Sequence, residues 1–140
     1  VRFDNMSEEA AAHLLKLVDE VAAQTGLPVG KLSLGGFSKG AMLATDVSLR
    51  LPERPAALAI LSGTLLLEDV WRQKAKARPG LPVFQSHGEV DPLLPFANAE
   101  ALRQLLTEEG SPPEWVPFDG PHAIPLLVLR KLAQFLAAHL

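Results

Sequence analysis

Residues 34–43 read LGGFSKGAML. An apolar run climbs into Gly35 and Gly36, Ser38 follows at a corner, and a helix-like segment begins at Lys39. Gly36-Phe37-Ser38-Lys39-Gly40 has the form G-x-S-x-G. That pattern suits a sharp strand-to-helix turn that lifts a serine Oγ clear of a sheet, with Gly36 and Gly40 letting the two backbones pass closely. The Lys39 amide then opens a helix N-terminus, where a developing oxyanion is favoured. By itself the pentapeptide is weak, since a chance match falls in about one chain in 25 of this length. The bland reading is a glycine-rich turn with an N-cap serine.

Periodicity on either side supplies context. Upstream, a helix is expected after Ser7 as N-cap, with Glu8 and Glu9 in its first turn and Leu14, Leu17, Val18 and Val21 on one face. Gly26 and Pro28 end it. KLSLGGF (31–37) reads as a strand, and a helix follows from Lys39 to Leu51. ALAILSG (57–63) is a second strand, Glu68–Ala77 a short helix, PVFQSHG (82–88) a third strand and residues 96–110 a helix. EWVPFDG (114–120) is a weaker strand because it contains Pro117, and a last helix starts near Pro125 at N1. Short apolar strands alternating with amphipathic helices indicate an α/β fold. We expect a mostly parallel sheet of about four strands, with helices on both faces, in one domain over residues 1–140.

In such sheets functional groups collect beyond the carboxyl ends of the strands. The four loops there hold Ser38, Ser62, His87, Asp91 and His122. A serine needs a base and the base an orienting acid, and on an α/β-hydrolase sheet the chain order is serine, acid, histidine. Ser38, Asp91 and His122 follow that order. Glu89 competes with Asp91 as the acid. Asp119 reads as a turn cap, Ser62 as a packing residue, and His13 and His139 as surface residues. His87 and Asp91 could pair on a metal, but no third ligand is sensibly spaced; His87 reads better as a hydrogen-bonding support for the Asp91 loop. Trp71 and Trp115 read as core, with a place for Trp71 in an acyl pocket as the alternative.

LSLGGFSKGAMLA, LPVFQSHGEVDPLLPF and FDGPHAIP together resemble the phospholipase/carboxylesterase family of α/β-hydrolases, which includes acyl-protein thioesterases. The resemblance runs from the first helix to the carboxyl terminus. It implies Ser38 as nucleophile, Asp91 as acid, His122 as general base and the Lys39 backbone amide as one oxyanion donor. It also implies ester or thioester hydrolysis with no cofactor and no metal. The elbow departs from the family pattern at Lys39, usually glutamine, and at Ala41, usually glycine. The family also has strands before the first helix, and a loop after one of them gives the second oxyanion amide. The fold is therefore expected to be a truncated α/β-hydrolase. The strand Lys31–Phe37 would be an apolar edge, covered by a second copy in a homodimer or by a missing N-terminal segment. A hydrolase-like binding or assembly module is the alternative function.

Composition limits the remaining classes. The 140 residues are 48% hydrophobic and 21% charged, with net charge −3 and no cysteine. Both charge signs are scattered, which argues against a nucleic-acid partner. Disulfides and cysteine chemistry are excluded. No apolar run reaches membrane-spanning length. Residues 1–10 lack the apolar core of a signal peptide, and a cytoplasmic location is expected. The chain opens on Val1, which fits either a non-methionine start codon or missing upstream sequence.

Overall fold

The computed structural model describes residues 3–139. Helix α1 (Phe3–Thr25) leads through a short 3-10 turn at Val29–Lys31 into β1 (Ser33–Phe37). Then follow α2 (Lys39–Arg50), β2 (Ala57–Leu61), α3 (Glu68–Lys76), β3 (Val83–Gly88), α4 (Phe96–Glu108), β4 (Glu114–Phe118) and α5 (Leu126–Ala138). The four strands form one parallel sheet in the order β1-β2-β3-β4.

Four local expectations are corrected. No glycine or proline interrupts residues 3–25, so α1 starts at Phe3 and Ser7 lies inside it rather than at its cap. Leu17 is exposed: α1 packs mainly along α2, and among its described residues Val18 is buried while Leu14, Leu15 and Val21 are half-buried. Pro125 occupies the N-cap of α5, not N1. Lys31 belongs to the 3-10 turn, so the edge strand proper is Ser33–Phe37.

Side-chain alternation along the strands makes two cores. Leu58, Ile60 and Val83 face α2, α3 and α4 through Met42, Leu49, Trp71, Leu102, Leu105 and Leu106. Ala57, Ala59, Leu61, Phe84 and Val116 face α5 through Val128 and Phe135. All three crossover helices thus share one face and α5 covers the other. The physical reason is that strand order advances in one direction throughout, so successive right-handed crossovers stay on one side. Trp71 is fully buried and donates its indole N–H to Asp46 on α2 at 2.9 Å, which places it in the core rather than in an acyl pocket.

The two central strands are buried along their whole length, whereas β1 and β4 alternate. Pro117 is tolerated because β4 is an edge, where a missing N–H breaks no inner ladder. β1 is the other edge. Beside it, Gly35, Gly36, Ala59, Leu61, Leu132 and Leu136 contribute to an apolar cavity of about 250 Å³ between the sheet and α5.

Candidate active site

Each strand delivers one loop to the same rim. Ser38 follows β1, Ser62 follows β2, Asp91 follows β3 and His122 follows β4. The corner at Ser38 has φ 59° and ψ −119°, a region that L-residues avoid. Two anchors hold it there. The Ser38 amide donates to the Leu61 carbonyl at 2.8 Å, and the Ser38 carbonyl accepts from Ala41 and Met42 in the first turn of α2. Gly36 is what lets the helix start so close. A Cβ there would lie 2.4 Å from the carbonyl carbon and oxygen of Gly40. At Gly40 itself a Cβ would meet open space, so the two glycines are not equivalent.

The acid loop is built on a different device. Asp91 Oδ1 accepts from the amides of Leu93 at 2.8 Å and Leu94 at 2.9 Å, an Asx turn that Pro92 stiffens. Oδ2 accepts from His122 Nδ1 at 2.7 Å. Burial alone would raise the Asp91 carboxyl, but the Leu94 amide, His122 and the Leu93 amide outweigh it and hold the group below the ordinary carboxylate range. Asp91 is therefore ionised at neutral pH, and it fixes the proton of His122 on Nδ1. That leaves Nε2 as an acceptor, and Ser38 Oγ–H donates to it at 2.8 Å. The arrangement is a continuous hydrogen-bonded chain, Ser38–His122–Asp91, assembled from three loops.

The histidine loop docks against the acid strand. Glu89 N–H donates to the Phe118 carbonyl at 2.8 Å and Val90 N–H to the Gly120 carbonyl at 3.1 Å. A Cβ on Gly88 would lie 2.2 Å from the Pro121 carbonyl oxygen and 2.3 Å from that of Gly120. The Phe37 ring packs on the His122 imidazole with centroids 4.7 Å apart. Sequence reasoning passed over both contacts. The His-Gly dipeptide ending a strand just before the acid was the available signal for Gly88, whereas nothing in the sequence marked Phe37.

The competing residues fall elsewhere. Glu89 is exposed and His122 takes Asp91 instead. Asp119, His13 and His139 are exposed, with His139 stacked on Phe135. Trp115 packs against Phe96 and under the Arg103 guanidinium. Ser62 is buried with φ 56°, and its hydroxyl points to the Ala123 carbonyl at 3.5 Å. Among the described residues no three His, Asp or Glu side chains cluster as a metal would require. No described helix is long and apolar enough to cross a membrane. Lys39 opens α2, and the first amides of a helix point out of its N-terminal end toward this corner. Around the rim Val90, Leu93, Leu126 and Leu127 are exposed apolar side chains.

A strand-corner serine joined to a histidine and a carboxylate on a parallel sheet defines the α/β-hydrolase class. A phospholipase/carboxylesterase family profile matches residues 3–140, and the chain belongs to that family. It is 36% identical over 94 residues to acyl-protein thioesterase 1 of Eremothecium gossypii, covering 67% of this chain and 40% of that protein. With acyl-protein thioesterase 1 of Saccharomyces cerevisiae it shares 28% over 107 residues, covering 74% and 47%. Its fold superimposes on the crystal structure of esterase PE8 with a TM-score of 0.88 at 30% identity, over 96% of this chain and 62% of that one. SOBER1 of Arabidopsis thaliana shares the fold at a TM-score of 0.82 and 22% identity, over 95% and 64%. The chain thus spans under half the length of the curated relatives named here and under two thirds of the solved ones.

Proposed function

We propose that this chain is a serine hydrolase that cleaves carboxylic esters, thioesters included, of small or short-chain acyl groups. The observation that carries the reading is the hydrogen-bonded chain from Ser38 Oγ through His122 to Asp91, at 2.8 and 2.7 Å. Ser38 Oγ attacks the acyl carbon while its proton passes to His122 Nε2. The resulting imidazolium is stabilised by the Asp91 carboxylate at Nδ1. His122 then hands the proton to the leaving alcohol or thiol, and the acyl group remains on Ser38. A water molecule deprotonated by the same Nε2 attacks the acyl-enzyme, and the returned proton restores Ser38. No cofactor, metal or nucleic acid has a part in this scheme, and a cytoplasmic setting suits it. The apolar side chains on the rim suit an acyl group, and the thioesterase relatives extend the reading to thioesters.

The Lys39 amide would hold the developing oxyanion. α/β-Hydrolases take a second amide from a loop after an earlier strand. β1, the strand that carries the serine, has an open edge with an apolar cavity beside it. In this reading the edge is completed by further β-structure, from an upstream segment or from a second copy. The greater length of the relatives favours the upstream segment. No observation favours the rival reading of a pure binding module.

The test is hydrolysis of p-nitrophenyl acetate and butyrate, with covalent labelling by a fluorophosphonate read by intact mass. Wild type should hydrolyse and take one adduct, whereas Ser38→Ala should do neither. Equal rates for the two proteins would rule out the serine mechanism. In this reading the second oxyanion amide comes with the structure that completes the edge, and these residues without it should turn over about 10²–10³ more slowly while still taking the label.

A further inference from the structure

His87 is completely buried at the end of β3, and the proton-transfer chain does not use it. Its Nε2 lies 2.7 Å from the Leu94 carbonyl oxygen. A carbonyl can only accept, so Nε2 carries the ring proton and donates it. The same Nε2 lies 3.4 Å from Asp91 Oδ2, the oxygen that receives His122. Nδ1 is buried among the described atoms with no hydrogen-bond partner. A fully buried ring that gives its one proton to a loop carbonyl beside the Asp91 carboxylate points to a positioning role for that nitrogen.

Leu94 shows what that role is. Its amide holds Asp91 Oδ1 at 2.9 Å, and its carbonyl is held by His87. One residue therefore links the rigid, fully buried strand to the carboxylate. The outgoing arm of the loop is already tied down by Glu89, Val90 and Asp91 backbone bonds. The returning arm, with Leu93 exposed, has His87 as a fastening to the sheet. We infer that His87 is the positioning residue of the acid loop, locking Leu94 and closing on Asp91 Oδ2 so that the carboxylate meets His122 in one orientation. This rests on the reading of Ser38, His122 and Asp91 as a catalytic triad.

Substitutions separate the donor from the bulk of the ring. His87→Gln keeps an amide N–H near the place of Nε2. His87→Met has a similar reach without a donor, and His87→Asn carries a donor that stops short of Leu94. Two quantities are read on the intact chain: the fluorophosphonate labelling rate of Ser38, and the downfield proton resonance of the His122–Asp91 hydrogen bond. Ser38→Ala and Asp91→Asn serve as references, and thermal melts confirm folding. His87→Gln should label near the wild-type rate and keep the resonance. His87→Met and His87→Asn should label about 10–100-fold more slowly and lose it. If His87→Met does not fold, the Gln and Asn variants make the same comparison. Wild-type labelling in folded Met or Asn variants overturns the inference, as does a folded Gln variant as slow as either. Absence of Ser38-dependent labelling in wild type, or full reactivity of Asp91→Asn, would instead remove the triad reading, and the role of His87 with it.

Discussion

Gly88 and Gly120 meet backbone to backbone: a Cβ on Gly88 would sit 2.3 Å from the Gly120 carbonyl oxygen. Through this contact the strand that leads to Asp91 fixes the height of the loop that carries His122. Gly88→Ala should push that loop outward and part His122 from Ser38. A displacement near 1 Å lowers catalysis about 100-fold, and overpacking costs about 1–3 kcal/mol. Esterase kinetics alongside a urea melt would check both numbers. Unchanged activity would mean that the loop is not seated by this contact.

The elbow glycines should behave oppositely. Gly36→Ala drives a methyl group into the Gly40 carbonyl and should cost about 1–3 kcal/mol together with most of the Ser38 reactivity. Gly40→Ala enters open space in the first turn of α2, where the lost unfolded-state freedom should stabilise by about 0.4–1 kcal/mol. Paired melts and fluorophosphonate labelling of the two variants decide the matter. Equal damage in both would refute the asymmetry.

Asp91 makes stability depend on acid pH with a definite sign. Its folded-state carboxyl lies below the ordinary value, so the unfolded chain takes up the proton first as pH falls. The contribution is complete above the ordinary carboxylate range, near pH 4, and is lost as pH falls through the lower folded value. Wild type should therefore lose stability more steeply below about pH 4 than Asp91→Asn, which has no such group. Parallel slopes in denaturant melts between pH 2 and 5 would contradict this.

Arg78 anchors the far end of the helix that carries Ser38. Its guanidinium donates to the carbonyls of Ser48 at 2.8 Å and of Leu51, which close the last turn of α2. Burial and the nearby Arg54 both lower its pKa, yet an arginine at neutral pH stays charged. Arg78→Ala should destabilise the fold by about 1.5–3 kcal/mol, the range for hydrogen bonds to a charged group. Arg78→Lys should recover only part of this, because one ammonium cannot span both carbonyls. Chemical denaturation of the three proteins provides the comparison.

The open edge of β1 predicts exchange behaviour. In the isolated chain the amides of Gly35 and Phe37 should exchange faster than those of the fully buried β2 and β3. Adding a polypeptide that supplies the further β-structure proposed for this edge, or raising the concentration if two copies pair, should slow them and raise the labelling rate of Ser38. Solution mass separates the two routes. A strictly monomeric chain with a protected β1 edge would count against both.

Much of this protein was legible in one dimension. The glycine-flanked serine, the order Ser38, Asp91, His122 and the alternation of short apolar strands with amphipathic helices are local or additive signals. They specified a parallel sheet and which loops would share a rim, because strand polarity places every strand-to-helix loop at the same end. Long-range contacts were not legible. Strand order alone put the three crossover helices on one face. Packing against α2 decided that Leu17 stays exposed, and the buried Trp71–Asp46 bond made Trp71 core. The difference between Gly36 and Gly40 depends on which backbone lies across from each, and that of Gly88 depends on a loop more than thirty residues away in sequence. Spacing along the chain can name candidate groups for chemistry, but the distances at which they meet come from how distant segments pack.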